Sequence, residues 1–354
     1  MELKITKTQN PKTKPTGALG FGKYFSDHIF TMEYSGGEWK NAQIKPYEPF
    51  MLDPSCSVLH YAQGVFEGAK AFKNAKGEVL TFRLKDNVDR MLDSADRVCI
   101  PAFDKAFVLD AIEQIILIDQ DWIPSGEGTA LYLRPTIIAT EPALGVRAAD
   151  RYLLYCILSP VGAYYSGGLK PVRLYVEQKY VRAAVGGTGG HKVIGNYAAS
   201  LKAGENAKKL GYDQVMWLDA FKHRYVEEVG AMNIFFICGG KALTPALSGS
   251  ILPGITRRSI IQLLRDMGIE VEETAVDIVK MAAAAKSGEL TEVFGTGTAA
   301  VISPVGGFCY KGKDYVVGGG AMGKVSEALY AQLTGIQNGR IEDKYGWVKK
   351  LGAI

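Results

Sequence analysis

Short, mainly apolar runs alternate with polar turns in the first part of the chain, roughly from residue 25 to residue 82. These runs are rich in aromatic and β-branched residues and are separated by turns containing Gly and Asn, which is typical of β-strands. Segments 83–98 and 104–123 instead repeat apolar residues every three or four positions. This spacing predicts two amphipathic helices, the second with Asp104 as its N-cap. Two strands then follow, so this half is predicted to be α+β.

The second half follows a glycine-rich stretch, Ser166–Pro171, which is the best candidate for a linker. A strand and a glycine loop lead into a helix that ends at Gly211, with Ala198, Leu201 and Leu210 on one apolar stripe. Further on, strand patterns cluster before the last helices, the final one spanning roughly Lys324 to Gln337. A doubly wound fold would alternate strands and helices more regularly, so a mixed or antiparallel sheet is predicted.

The length of 354 residues favours two domains rather than one. We predict a small N-terminal α+β domain over 1–165, a linker over 166–170 and a larger C-terminal domain over 171–354. The net charge of +4 includes no basic arm, so nucleic acid is not an expected partner. No apolar run approaches the length of a membrane span, and no membrane association is expected.

Five cysteines are spread through the chain without a CxxC pair, so neither a zinc site nor a disulfide framework is indicated. Buried, reduced thiols in a cytoplasmic protein are the preferred interpretation. The first residues also lack the apolar core of a signal peptide. We therefore predict a cytoplasmic protein without a bound metal.

The segment "GGTGGHKVIGNY", residues 186–197, places Lys192 after a run of glycines. A phosphate-binding loop of the GxxxxGK[ST] type would have a Ser or Thr directly after the lysine to hold magnesium. Val193 occupies that place here, which argues against a nucleotide-binding loop, although ATP binding would test that alternative. A lysine can instead form a Schiff base with a cofactor aldehyde, if other residues hold the cofactor's ring nitrogen and phosphate.

Three further features fit the Schiff-base hypothesis, although each is weak alone. Glu228 lies on an apolar strand, where a carboxylate is costly unless it is paired. Ile255 and Thr256 begin a predicted helix, whose N-terminus is a natural seat for phosphate. The turn "FGTGTA" offers backbone N–H groups and the hydroxyl of Thr298. Their occurrence together in one half of the chain predicts a cofactor-binding domain.

The segments "GGTGGHKVIGNYAAS", "EEVGAMNIF", "LPGITRRSI" and "EVFGTGTAAVISPV" together resemble the branched-chain amino acid aminotransferases. The resemblance continues through "FGKYFSDHIF", "LHYAQGVFEGAKAF", "NVDRML", "LYLRP", "EPALGV" and "PVGAYY", in order and over nearly the whole chain. It implies a two-domain enzyme of fold type IV, similar to D-amino acid aminotransferase, with pyridoxal 5′-phosphate in the cleft between the domains. The implied reaction is a reversible ping-pong exchange of the amino group between Leu, Ile or Val and 2-oxoglutarate.

By the same resemblance, Lys192 is the catalytic residue that links covalently to pyridoxal phosphate and moves the substrate proton. Glu228 is expected at the ring nitrogen and Tyr197 at the phenolic oxygen. The phosphate is expected to contact Arg90, Ile255, Thr256 and Thr298. Without the resemblance, Arg90 would be interpreted as a solvated helix charge and Tyr197 as core packing.

Substrate recognition also follows from the resemblance. Tyr132 and Arg134 are two apart on a predicted strand and face one side, while Leu131 and Leu133 face the other. Arg134 is implied to accept the side-chain carboxylate of glutamate. The substrate-binding residues implied are Phe25, Tyr61, Phe66, Tyr132, Arg134, Tyr164, Thr298 and Ala299.

The resemblance also implies a homodimer whose small-molecule substrates are Leu, Ile, Val, Glu and their 2-oxo acids. Rival hypotheses are a D-amino acid aminotransferase or an aminodeoxychorismate lyase of the same fold type. A pyridoxal-phosphate carrier without catalysis and a phosphate- or nucleotide-binding protein are the rivals from other classes.

Overall fold

A computed structural model describes residues 1–126, 128–162 and 169–352. The chain forms two compact units. Unit 1 comprises Met1–Ser166, Lys192–Gly195 and Gly335–Ile354, and unit 2 comprises Gly167–His191 and Asn196–Thr334. The short segment that carries Lys192 and the last twenty residues group with unit 1.

Unit 1 is built on one sheet with two long helices. Its elements are β1 (Lys4–Ile5), β2 (His28–Ser35), β3 (Glu38–Pro46), α1 (Ser57–Tyr61), β4 (Gly64–Phe66), β5 (Ala69–Lys73), β6 (Val79–Phe82), α2 (Leu84–Arg97), α3 (Lys105–Ile118), β7 (Ala130–Ala139) and β8 (Tyr152–Val161), together with a late strand, Val348–Lys350. The strand order is β1-β3-β2-β8-β7-β5-β6 followed by the late strand, and β4 pairs with β7. Only the β1–β3 pair is parallel among the strand pairs of the described part of this unit.

The core of unit 1 lies where α2 and α3 cover one face of the sheet. Aliphatic residues of β7 and β8 such as Leu131, Leu133 and Leu158 are wholly buried there, with Val108 and Ile112 of α3. Asp104 caps α3 as predicted, because its side chain accepts hydrogen bonds from the backbone N–H groups of Ala106 and Phe107. Burial of this face is the main source of stability in the unit.

Unit 2 contains the second sheet. Its elements are β9 (Val172–Val176), α4 (Gly195–Lys209), β10 (Gln214–Leu218), β11 (Tyr225–Val229), β12 (Asn233–Cys238), β13 (Lys241–Pro245), α5 (Ile255–Asp266), β14 (Val271–Thr274), β15 (Val276–Asp277), α6 (Ile278–Ser287), β16 (Leu290–Gly297), β17 (Val301–Tyr310), β18 (Lys313–Val316) and α7 (Lys324–Gln337). The late strand of unit 1 is β19. The sheet order is β14-β13-β12-β16-β17-β9-β10-β11-β15, with β18 on β17. Parallel and antiparallel pairs both occur, so the predicted α+β class with a mixed sheet is confirmed.

The apolar stripe predicted for α4 is wrong as a buried surface. Leu201 and Leu210 are both more than half exposed, whereas the small residues Ala203 and Ala207 are buried. These alanines pack against Trp217 and its neighbours in a small core cluster. Alanine allows the helix backbone to approach the sheet closely, so the face with the smaller side chains is the buried one here.

All five cysteines are described, and all five are free thiols. Three of them are buried, as predicted, but Cys99 is exposed and Cys238 is half-buried. Within the described parts of the chain, no helix combines the length and the apolar character that crossing a membrane requires.

Candidate active site

The two faces of β7 have opposite characters. Leu131 and Leu133 point into the core beneath α2 and α3 and are wholly buried. Tyr132 and Arg134 lie on the other face, where an Nη of Arg134 donates a hydrogen bond to the hydroxyl of Tyr132 over 3.2 Å. Period-two alternation makes this separation unavoidable once the strand forms.

The ring of Phe66, on β4, lies close to both Arg134 and Lys192. Phe66 pairs in register with Thr136, two residues beyond Arg134. The guanidinium carbon of Arg134 lies 4.7 Å from the centre of the Phe66 ring, and Nζ of Lys192 lies 4.8 Å from it. Two cations therefore share one aromatic ring, and both stay close to it by cation–π attraction.

The backbone of Lys192 is fixed within unit 1 from two sides. Its N–H donates to Oγ of Ser94 on α2 over 2.9 Å, and its carbonyl accepts from the N–H of Phe66 over 3.1 Å. The next residue, Val193, forms an isolated bridge with Val65. The lysine side chain therefore starts from a rigid point rather than from a free loop.

Tyr132 is also held by its surroundings. A side chain at Gly68 would place its Cβ 2.0 Å from the Tyr132 hydroxyl, so only glycine leaves room for the ring there. Phe21, from the segment before β2, contacts the Tyr132 ring edge-on with 4.8 Å between ring centres. Sequence analysis did not identify Phe21 or Gly68.

Arg90 lies on α2 and is held in a two-pronged ion pair with Glu67. Its Nε and Nη2 donate to the two carboxylate oxygens over 2.8 and 2.9 Å, and Asn87 donates to the same carboxylate. Burial alone would raise the pKa of Glu67, but the charges of Arg90 and Lys192 and these hydrogen bonds together hold that pKa below its usual value. Glu67 is thus a buried anion that sequence analysis missed, since a Glu after a strand carries no signal by itself.

In unit 2, Glu228 lies on β11, which is an inner strand of the sheet, and is almost wholly buried. One carboxylate oxygen accepts from the N–H of Leu252 over 2.9 Å, and the other lies 3.0 Å from Nε of Arg182. Arg182 also donates to the carbonyls of Gly189 and Ser250. It therefore joins Glu228 to the glycine loop, a role that sequence analysis did not anticipate.

A small cavity opens beside this carboxylate. Its walls include Tyr197 from the start of α4, Glu228, Ala231 and the Leu252 turn. The sequence placed Tyr197 and Glu228 thirty-one positions apart, and the fold of unit 2 brings them to one cavity.

The N-terminus of α5 and the β16–β17 turn are also built around close backbone approaches. Gly254 is the N-cap of α5, without a side-chain cap, and Ile255 and Thr256 form the first turn. A Cβ at Gly254 would lie 1.9 Å from Oδ1 of Asn233, whose amide donates to the carbonyl of Leu252 over 2.9 Å. Asn233 was not identified from the sequence, although it fixes the turn that leads into this helix.

Thr298 and Ala299 lie in the turn between β16 and β17. Asn233 pairs in register with Thr296 near the end of β16. Val301, which begins β17, has a φ of 64°. Such a conformation is costly for a β-branched residue, so the tertiary structure imposes the shape of this turn.

Two of the predicted substrate residues contact other neighbours. Phe25 stacks on Tyr47 with 5.5 Å between ring centres, and Tyr61 is 42% exposed with its hydroxyl donating to the carbonyl of Leu144. Tyr164 lies outside the described residues.

The donor set of unit 2 suits a phosphorylated pyridine rather than a metal. A buried carboxylate with one edge on a cavity suits a protonated ring nitrogen, and an uncapped helix N-terminus suits a phosphate. Among the residues that the structure describes, no group of three or more His, Cys, Asp or Glu side chains could hold a metal ion.

Comparison with known proteins identifies the family. The family model "Amino-transferase class IV" matches residues 64–307. A probable branched-chain-amino-acid aminotransferase of Staphylococcus epidermidis is 52% identical over 349 residues, covering 98% of this chain and 97% of the relative. The branched-chain-amino-acid transaminase 1 of Bacillus subtilis is 52% identical over 344 residues, covering 96% and 97%.

A solved structure supports the same family assignment. The branched-chain amino acid aminotransferase of Escherichia coli matches with a TM-score of 0.76 at 28% identity, over 92% of this chain and 99% of that one. Sequence and structure therefore agree along almost the whole length of the chain. The chain belongs to the class IV aminotransferases and, within them, to the branched-chain-amino-acid aminotransferase family.

Proposed function

We propose that this protein is a pyridoxal-phosphate-dependent transaminase that exchanges the amino group between Leu, Ile or Val and 2-oxoglutarate. Family membership supports this proposal, since relatives with about half of their residues identical are named for the same activity. A second solved branched-chain amino acid aminotransferase, in complex with N-(5′-phosphopyridoxyl)-L-glutamate, shares 26% identity with a TM-score of 0.72. The single structural observation that carries the proposal is Glu228, a buried carboxylate held by Leu252 and Arg182 beside a cavity that Tyr197 also lines.

Each proposed cofactor contact follows from the chemistry of its residue. Glu228 would accept the N–H of the pyridinium, and the nearby Arg182 orients this carboxylate. Tyr197 would donate to the phenolic oxygen. The backbone N–H groups of Ile255 and Thr256, together with Thr298 and Arg90, would hold the phosphate. Pyridoxal phosphate, when bound, supplies an aldehyde for covalent linkage to amines and a ring that withdraws electrons from the substrate.

Lys192 is proposed as the catalytic residue. Its backbone is anchored at Ser94 and Phe66, so its amino group can be delivered to the same place in every turnover. There it would remove the proton from the substrate Cα and deliver it to the carbon of the cofactor that takes up the amino group. General base catalysis requires the base to lie at a fixed position relative to the proton that it removes.

The polar face around Phe66 is the proposed substrate wall. Phe66 would contact branched aliphatic side chains, the hydroxyl of Tyr132 would help to hold the α-carboxylate, and Arg134 would accept the second carboxylate of glutamate. The N–H groups around Thr298 and Ala299 would hold the carboxylate that all substrates share. Phe25, Tyr61 and Tyr164 remain predictions from the family resemblance.

The visible absorption spectrum of the purified protein tests the proposal directly. With pyridoxal phosphate supplied, we expect a yellow absorption band that shifts when L-leucine is added and returns with 2-oxoglutarate. A band that ignores L-leucine but responds to D-amino acids would support a D-amino acid aminotransferase instead. Failure to bind the cofactor, with binding of ATP, would contradict the proposal outright.

The domain boundaries at 165 and 171, a homodimer and a cytoplasmic location are further proposals that rest on the sequence and the family resemblance. Light scattering coupled to size-exclusion chromatography tests the dimer, for which we expect twice the mass of 38.4 kDa.

A further inference from the structure

A buried lysine lies on the same sheet face as Tyr132 and Arg134. Lys70 of β5 is only 8% exposed and pairs in register with Tyr132 of β7. Tyr132 in turn pairs with Ser159 of β8, which is 4% exposed. Directly paired residues point to the same face of a sheet, so Lys70, Tyr132 and Ser159 form a polar row across three adjacent strands.

Polar atoms on this face lack partners in the described protein. Oγ of Ser159 and Nε of Arg134 are buried and have no hydrogen-bond partner among the residues that the structure describes. Leaving such groups unsatisfied costs about 1–3 kcal/mol each. A ligand with acceptor oxygens, bound on this face, would satisfy both groups.

The charges on this face are positive. Lys70, Arg134 and, near Phe66, Lys192 are its cations. Tyr132 of β7 and Tyr155 of β8 add phenols to the same face, and burial raises the pKa of Tyr155. The neighbouring strand β6 contributes Leu80 and Phe82 to this face. Leu80 pairs with Phe72, which lies on the same face as Lys70, and Phe82 is two residues beyond Leu80. The nearby acid, Glu67, pairs instead with Asn87 and Arg90 of α2.

Lys70 is buried strongly enough to change its ionisation. Desolvation lowers the pKa of its ammonium to about 8. The residue therefore carries its charge at neutral pH at a considerable cost, which an anionic ligand would offset.

We propose that Lys70 and Ser159, together with Arg134, form a carboxylate subsite that selects the dicarboxylic substrate over the branched-chain one. This inference rests on the proposed transaminase function and assigns the discrimination of its acidic substrate to two residues beyond Arg134. The ammonium supplies charge, and the hydroxyl of Ser159 donates a hydrogen bond that no described residue accepts. A branched aliphatic side chain would use the Phe66 side of the same wall.

The test is a selectivity ratio measured with the holoenzyme in its amine form. kcat/KM is compared for 2-oxoglutarate and for 4-methyl-2-oxopentanoate in the wild type, Lys70→Met and Lys70→Arg. We expect Lys70→Met to lower the ratio of 2-oxoglutarate to 4-methyl-2-oxopentanoate about tenfold, and Lys70→Arg to recover part of it. Lys76→Met is the matched control, because Lys76 is exposed in the β5–β6 turn, and its ratio should equal that of the wild type.

Equal losses for both oxo acids in Lys70→Met would mean a purely structural lysine and would overturn the inference. If the wild type turns over neither oxo acid, the proposed function itself fails, which is a different result.

A second measurement needs no variant. In the wild type, the same ratio should fall as pH rises through about 8, where Lys70 loses its proton. Neither oxo acid has an amino group that titrates there, so effects common to both cancel in the ratio. A ratio that stays constant from about pH 7 to about pH 9.5, a range that brackets the lowered pKa, would contradict the proposal even if Lys70→Met does not fold.

Discussion

The two faces of the unit 1 sheet illustrate how one strand serves stability and chemistry at once. Toward α2 and α3, Leu131 and Leu133 are wholly buried among aliphatic neighbours. On the opposite face, Tyr132, Lys70 and Ser159 are almost as buried, yet they are polar, and the hydroxyl of Ser159 has no hydrogen-bond partner among the described residues. Burial is therefore nearly equal on the two faces, whereas only the first face gains free energy from it. The second is maintained at a cost, which is the expected signature of a functional surface.

The largest effect on activity is expected from replacing Lys192 on the polar face. Lys192→Ala removes both the base and the attachment point, so transamination should fall by roughly four orders of magnitude or more. Stability should change little, because the backbone contacts with Ser94 and Phe66 remain. Stopped-flow kinetics and thermal unfolding of the same preparation measure both quantities. Near-normal turnover by this variant would remove Lys192 from its proposed role.

A substitution on the core face should lower stability and leave activity nearly unchanged. Leu131→Ala deletes a wholly buried side chain and should lower the free energy of unfolding by about 2–5 kcal/mol. Activity per folded molecule should stay within about twofold. Tyr132→Phe on the same strand is the matched variant, with a change in stability of about 1 kcal/mol and a clear loss of activity. If both variants lose stability equally, the division between the two faces is wrong.

Lys70→Met should increase the stability of the protein, in contrast to Leu131→Ala on the core face. In the folded protein Lys70 loses its proton at about pH 8, whereas the unfolded chain holds it up to about 10.5. Between these values the unfolded state binds more protons, so wild-type stability rises with pH across that window. Below pH 8 the full cost of the buried charge is present, and Lys70→Met should raise the free energy of unfolding there by about 1–3 kcal/mol. Urea unfolding at about pH 7 and about pH 10.5 checks this, and the gain should shrink at the higher pH. A gain that does not depend on pH would mean that charge is not its origin.

The smallest effect is expected at Ser159. Ser159→Ala removes a buried hydroxyl that has no hydrogen-bond partner in the described protein, so stability should be unchanged or higher by up to about 1 kcal/mol. kcat/KM for 2-oxoglutarate should fall about threefold, with a smaller change for 4-methyl-2-oxopentanoate. Steady-state kinetics with the two oxo acids and one melting curve suffice. A loss of stability would show that the hydroxyl is satisfied within the folded protein.

Local pattern was enough to predict most of the elements. Asp104 was identified as an N-cap because its chemistry is local, and α7 begins and ends where its pattern does. Tyr132 and Arg134 were placed on one face because a strand has only two faces. The prediction that Leu201 and Leu210 of α4 form its apolar face was less useful, because these residues are exposed. Periodicity shows which residues share a face, but only packing against Trp217 decides that the alanine face is the buried one.

The sequence by itself determined the family, the α+β class and the residue types that carry the chemistry, because each depends on residues close together in the chain or on ordered motifs. Only the tertiary structure decided the partners of those residues. Glu67 meets Arg90, Arg182 meets Glu228, and Lys70 meets Tyr132 across separations that no local pattern encodes. Charge pairing and burial are properties of three-dimensional distance, and in these cases the fold alone brings the charges together.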